Sequence, residues 1–404
     1  MTNQSEYLKD ARLIETHYGE EYERYYNAIV PPVFLNSLNV FPSIDAYYDS
    51  DKTDKHVYCY GRVQNPTVRI LEDKIAALEH GEKAFVFSSG MAAATTAVMA
   101  VCHSGSHVVC VRNVYGPLKT FLTQYCTEHF QMEITFVKGD RLEEFEEAVT
   151  DNTDLVVLES PSSILMTLQD IQGVAAIAGA HHARVYIDNT YCTPIFQNPL
   201  DLGVDMVMHT MSKYIGGHSD IIGGVLVAKD AALLDQLSLM RELYGGILGP
   251  MEAWLGIRGI RTMEVRLRQH EKTAMAVAEF LERHPKVKKV HYPGLPSFPQ
   301  YELMKKQQRG NCGLMSFEID GSVEEAKAFC EALSIFKIGV SWGGFESLVT
   351  MPFARATDEE AAWLGAPQNM IRIHCGLEGE DLLIADLEKG LERIGAGIRR
   401  KEES

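Results

Sequence analysis

From about residue 66 to residue 250 the chain alternates short apolar runs with segments of helical length, and no other feature constrains its fold as strongly. The runs Ala84–Ser88, His107–Val111, Glu133–Val137, Asp154–Glu159, Arg184–Asp188, Asp205–Thr210 and Gly223–Ala228 have strand length. Strands covered on both faces read in this largely apolar way, and strands separated by helices become parallel neighbours. Between them, Thr67–His80 carries Ile70, Leu71, Ile75 and Leu78 on one helical stripe, and Met91–Cys102 is rich in alanine. The expectation is a doubly wound α/β domain with a mostly parallel sheet.

The pattern changes after Gly249-Pro250. A long helical stretch runs through His284, a turn-rich segment His291-Tyr292-Pro293-Gly294-Leu295-Pro296 follows, and an amphipathic helix near Asp381–Ile394 repeats Leu383, Ile384, Leu387 and Leu391. A smaller α+β domain over 251–404 is expected, beside a large domain over 63–250. The length of 404 residues agrees, since single cores stop growing near ~250 to 300 residues. Residues 1–62 are irregular and rich in tyrosine (Tyr18, Tyr22, Tyr25, Tyr26, Tyr47, Tyr48). An arm of this kind cannot form its own core, so it is expected to pack on a neighbouring subunit.

A net charge of −17 has the wrong sign for neutralising phosphate backbones, so nucleic acid is not an expected partner. The start, Met1 to Glu6, lacks a basic stretch leading into an apolar run, and no segment approaches 18 uninterrupted apolar residues. A soluble, cytoplasmic protein with no membrane contact is expected. The eight cysteines are scattered, with no C-x-x-C pair and no H-E-x-x-H string, so no metal is expected. Neither a G-x-x-x-x-G-K-[ST] loop nor a G-x-G-x-x-G after a strand is present, which disfavours nucleotide cofactors.

Three local features carry chemistry. At Ser88-Ser89-Gly90-Met91 an apolar strand breaks into a helix, and the amides at such a break form an anion seat, although tight strand–helix packing alone uses the same residues. Asp188 ends the strand Val185–Asp188 where open α/β sheets place ligands, unless it caps a loop. Lys213, in Thr210-Met211-Ser212-Lys213, follows a strand and precedes the flexible pair Gly216-Gly217. Most lysines are solvated cations, but one at the mouth of a crevice becomes a nucleophile when burial or neighbouring charge lowers its pKa from ~10.4. An anion seat, an acid and an amine in one crevice match the phosphate, ring nitrogen and aldehyde of pyridoxal phosphate.

From about Pro31 to Ile394 the chain resembles the Cys/Met-metabolism (transsulfuration) enzymes, which have the pyridoxal-phosphate fold type I, the aspartate-aminotransferase-like architecture. The resemblance is carried by Tyr60-Gly61-Arg62, Asn65-Pro66-Thr67, Ser89-Gly90-Met91, Val114-Tyr115-Gly116, Asp188-Asn189-Thr190-Tyr191, Ser212-Lys213-Tyr214, Tyr292-Pro293-Gly294-Leu295 and Arg372-Ile373-His374, in order. It implies pyridoxal 5'-phosphate bound to Lys213 as a Schiff base, with Lys213 shuttling protons once released. It also implies Asp188 against the ring nitrogen, and the phosphate held by Gly90, Met91, Thr210 and Ser212, with Thr190 beside the cofactor. Tyr115 would stack on the ring and help deprotonate the incoming amine, unless it is a core aromatic. Arg372 would clamp the substrate carboxylate in a bidentate contact, unless it is a surface ion pair. Tyr60 and Arg62 would reach the phosphate from the partner subunit, which implies a homotetramer built from dimers with shared active sites.

Within the family, Glu159-Ser160-Pro161-Ser162-Ser163, Gly217-His218-Ser219-Asp220, Ser341-Trp342-Gly343-Gly344 and the tail Arg372-Ile373-His374-Cys375-Gly376 look more like bacterial cystathionine β-lyases than like the γ-acting branches. γ-Acting members usually show Asn where Ser163 stands and Leu where Trp342 stands. Methionine γ-lyases carry Cys where this chain has Pro117, and γ-cystathionine enzymes place an acid where it has Val340. Conversely, Asn65-Pro66-Thr67 is more typical of the γ branches. The expected reaction is β-elimination of cystathionine or related cysteine S-conjugates to a thiol, pyruvate and ammonia, with Ser163, Ser341, Trp342 and Arg372 around the substrate. The alternative is a γ-lyase or γ-synthase acting on methionine, cystathionine or an O-acylhomoserine.

Overall fold

The structure is a computed structural model that describes residues 10–50 and 57–395. The start Met1–Glu6 therefore lies outside the described residues. Seven strands make the large sheet: β1 (Lys83–Phe87), β2 (His107–Val111), β3 (Glu133–Val137), β4 (Thr153–Glu159), β5 (Arg184–Asp188), β6 (Met206–Thr210) and β7 (Gly224–Ala228), in the order β1-β7-β6-β5-β4-β2-β3. Neighbours from β3 across to β6 are parallel, whereas β7 is antiparallel to both β6 and β1. The sheet is mostly parallel, and β7 is its one reversed strand among the described residues. Every residue of β2 and of β7 is buried, as helices on both faces require.

The flanking helices begin where their caps dictate. Asn65 accepts from the amides of Thr67 and Val68, with Pro66 in the first turn, and starts the helix Pro66–Leu78. Its stripe Ile70, Leu71, Ile75 and Leu78 is buried, each side chain contributing roughly 1.5 to 3 kcal/mol by leaving water. Ser89 accepts from the Ala92 amide and starts the helix Gly90–Val101.

The smaller sheet contains β8 (Val287–His291), β9 (Leu314–Ile319), β10 (Lys337–Ile338), β11 (Leu348–Thr350) and β12 (Met370–His374), ordered β10-β11-β12-β9-β8 and antiparallel except for β10 with β11. The closing helix Glu380–Leu391 ends short of Ile394 and packs Leu383, Leu387 and Leu391 into the second core.

Two expectations are revised by packing. The helical stretch after residue 250 is two helices, Pro250–Ile260 and Met263–Arg283. Ala253, Ile257, Ile260, Met263 and Leu267 join the core of the large domain, and Ala274, Val277, Ala278 and Leu281 join that of the smaller one. The second helix therefore contributes to both cores. The arm is not wholly left for a partner either. Its helix Ala11–His17 buries Ile14 in the large core, and Lys74, fully buried, pairs with Glu20 at 2.9 Å and donates to the carbonyls of Ile14 and Glu15.

Candidate active site

Three adjacent parallel strands end side by side in Glu159 (β4), Asp188 (β5) and Thr210 (β6), with Glu159 in register with Asp188. This row of carboxyl ends is where an open α/β sheet presents its ligand crevice. The second domain supplies the opposite wall. Its loop Ser341–Gly344 lies against the backbone of Lys213, and a Cβ on Gly343, whose φ is +85°, would stand 2.9–3.0 Å from Lys213 and Tyr214 backbone atoms. Glycine at 343 permits that approach. Ser341 itself takes a φ of +89°, a conformation that non-glycine residues adopt at a cost and that clusters at working sites.

Lys213 Nζ donates to Ser341 Oγ at 2.5 Å and stands 5.2 Å from the centre of the Trp342 ring. Burial, reinforced by the positive charge of Arg372 and opposed by Asp188, brings the Lys213 amine down to about 8. An amine in that range is uncharged roughly a tenth of the time at pH 7, against less than about a thousandth for an ordinary lysine, and that neutral form is what a nucleophile and proton carrier requires.

Asp188 is organised through Thr190. The Thr190 amide (2.9 Å) and hydroxyl (2.5 Å) both donate to Oδ1, and the same hydroxyl accepts from the Thr210 amide at 2.9 Å. Both bonds fall on Oδ1, which leaves Oδ2 for another donor. Burial raises the Asp188 acid, so its carboxylate gains most from a cation placed against Oδ2.

The anion seat lies beside it. The first-turn amides of Gly90 and Met91 have no acceptor within their own helix, and a Cβ on Gly90 would stand 2.9 Å from the Thr210 Cβ, so glycine lets the helix end meet Thr210. The Thr210 hydroxyl donates to the Gly223 carbonyl at 3.2 Å, and the Ser212 hydroxyl accepts from the Gly223 amide at 3.4 Å.

Arg372, on β12, donates from Nη1 to the Ser163 carbonyl at 3.1 Å, and burial lowers its pKa against the opposing effect of Glu159. The remaining guanidinium nitrogens suit a carboxylate. Tyr115 is half-exposed at the mouth, its amide donating to Glu159 Oε2 at 2.7 Å. Glu159 Oε1 accepts from the Ser163 amide at 2.8 Å. Burial and then the neighbouring Asp188 push the Glu159 acid up to about 7. Glu159 is not among the sequence candidates. Its place at the end of an apolar run, equivalent to that of Asp188, is the signal that could have found it.

Tyr60 and Arg62 are not brought to this cluster. Arg62 Nη1 donates to the Glu242 carbonyl at 2.6 Å, and the guanidinium lies 5.6 Å from the Tyr60 ring. Within one chain the described residues thus assemble Lys213, Asp188, Thr190, Thr210, Ser212, Gly90, Met91, Tyr115, Ser163, Ser341, Trp342 and Arg372, and leave Tyr60 and Arg62 apart.

An amine lowered toward neutrality, a buried acid with a free oxygen and a helix-end anion seat fit pyridoxal phosphate on a fold type I scaffold. A model of the Cys/Met metabolism PLP-dependent enzyme family matches residues 13–392, and the chain belongs to that family, with pyridoxal phosphate as its cofactor. It is 36% identical to a cystathionine gamma-lyase of Dictyostelium discoideum over 397 residues, covering 97% of this chain and 100% of that one. It is 37% identical to an L-methionine gamma-lyase of Pseudomonas putida (93% and 96% covered) and 40% identical to a cystathionine gamma-lyase of Bacillus subtilis (86% and 92% covered). The crystal structure of metB from Corynebacterium glutamicum superposes with a TM-score of 0.89 at 34% identity, covering 95% of this chain and 98% of that one. No helix among the described residues is long and apolar enough to cross a membrane.

Proposed function

We propose that this carbon–sulfur lyase acts by γ-elimination on a sulfur amino acid, releasing a thiol, a 2-oxo acid and ammonia. The lyase assignment is carried by Lys213, an amine whose pKa is brought down to about 8 and which is tethered to Ser341 between Asp188 and Arg372. The γ outcome is supported by relatives named cystathionine and methionine γ-lyases, which moves the weight from the β-elimination expected from sequence to its alternative. Bound pyridoxal phosphate supplies an electron sink for the pair released when the Cα–H bond breaks. Arg372 holds the substrate carboxylate, Lys213 takes the Cα proton, and Asp188 holds its negative charge against the ring nitrogen. A γ route needs a second proton taken, from Cβ, and the flexible Lys213 stem lets one amine serve both carbons.

Trp342, buried against Lys213, together with Ser163 favours β-elimination as the second reading. Keto-acid analysis decides between them: 2-oxobutyrate as the main product from cystathionine or methionine is expected, and pyruvate from cystathionine with no 2-oxobutyrate would replace γ with β.

We also propose that Tyr60 and Arg62 serve the partner subunit's site. Their exposure, and the bond of Arg62 to the Glu242 carbonyl rather than to any residue of the cluster around Lys213, support this. Co-expressed Arg62→Ala and Lys213→Ala chains, each inactive alone, are then expected to recover about a quarter of native activity, because mixed dimers rebuild one site in two. Failure to recover any activity, with mixed dimers demonstrated by mass, would show that the sites are not shared.

A further inference from the structure

The catalytic reading uses Lys213, Asp188 and Arg372, with Tyr115 expected at the cofactor face, yet the acid Glu159, buried at the end of β4, has no part in it. Glu159 is buried at the end of β4, beside Asp188 in register, and both of its oxygens are used. Oε2 accepts from the Tyr115 amide and Oε1 from the Ser163 amide. The carbonyl of the same Ser163 accepts from Arg372. One carboxylate therefore ties together the residue at the cofactor face and the residue that steadies the substrate clamp.

We propose that Glu159 is a positioning residue that sets Tyr115 and Arg372 relative to each other, so that occupation of the substrate-carboxylate subsite is felt at the cofactor face. The chemistry demands an acid here. Two backbone N–H donors converge on one side chain, and a carboxylate, the form that prevails above about pH 7 here, offers each an acceptor without a donor of its own. A glutamine has the same shape but turns an N–H₂ toward one of the two amides, and that buried donor loses its partner. When ionised, Glu159 also opposes the lowering of the Arg372 pKa that burial causes. A residue that only filled space would need neither oxygen.

The inference rests on the proposed site, whose own test is separate: visible absorbance of bound cofactor in the native protein and its loss in Lys213→Ala. Within a loaded holoenzyme, Glu159→Gln is expected to raise KM for the amino-acid substrate roughly tenfold or more while kcat changes less. The visible circular dichroism band of the bound cofactor should also shift, because Tyr115 is repositioned. Native KM together with a native dichroism band in the folded, loaded variant would overturn the proposal.

Should Glu159→Gln fail to fold, hydrogen exchange on the native holoenzyme decides. Acetate, which carries the carboxylate but no amine to react, is added at concentrations that inhibit competitively. Slower exchange at both the Tyr115 and Ser163 amides is expected. Protection of Ser163 alone, or of neither, overturns the coupling.

Discussion

Replacing Lys213 with alanine is expected to lower turnover by about 10³-fold or more, the range lost with a positioned general acid–base group, and here the nucleophile goes with it. Ser341 and Trp342 stand at this one amine, Gly343 lies against the Lys213 backbone, and no second amine among the catalytic candidates can replace it. Small primary amines added to Lys213→Ala should restore part of the rate if proton transfer is what was removed. Native-like turnover in the variant would dismiss the assignment.

The same amine predicts a pH profile. Its reactive form is the unprotonated one, and burial brings its pKa down to about 8. Cofactor capture by protein stripped of pyridoxal phosphate should therefore accelerate as pH rises and level off above about 8, followed by the appearance of visible absorbance. A rate still climbing through pH 10 would mean an ordinary, solvated lysine.

Arg372→Ala is expected to lower kcat/KM by about 10²-fold, mostly through KM, because a charge-assisted bond to the substrate carboxylate is worth about 1.5 to 3 kcal/mol in a buried setting. Arg372→Lys should recover little of this. A lysine reaches as a point charge and cannot donate to the Ser163 carbonyl and grip a carboxylate in the planar manner of a guanidinium. Steady-state kinetics of both variants check this, and an Arg372→Lys enzyme with native KM would show that bidentate recognition is absent.

Much of the large domain was legible because burial on both faces writes a simple pattern. His107–Val111 and Arg184–Asp188 are strands over the residues read from the sequence, and Ala84–Ser88 is displaced by a single residue. The reversal of β7 was not legible. Gly224–Ala228 is apolar on both faces whichever way it runs, so its composition carries no direction. The way the helix Met263–Arg283 divides between two cores was not legible for a related reason. The stripe of the helix Met263–Arg283 announces a buried face, but not that Leu267 packs into one core and Val277 into the other.

Among the site residues, Lys213, Asp188 and Gly90 stand in strings whose order along the chain already suggested a cofactor crevice, because each ends or follows an apolar strand. Glu159 stands in an equivalent position, but its importance depends on β4 lying beside β5, a matter of strand order.

The amino-acid sequence by itself determined the alternating architecture, the family and its cofactor, because hydrophobic period and short motifs are local properties of the chain. Tertiary structure alone decided that Glu159 joins Tyr115 to the Arg372 clamp, that Ser341 from the second domain tethers Lys213, and that Tyr60 and Arg62 stay away from the site of their own chain. Apart from the local bond between Glu159 and Ser163, these interactions join residues 44 to 209 positions apart, and only the packing of one element on another brings such residues within hydrogen-bonding reach.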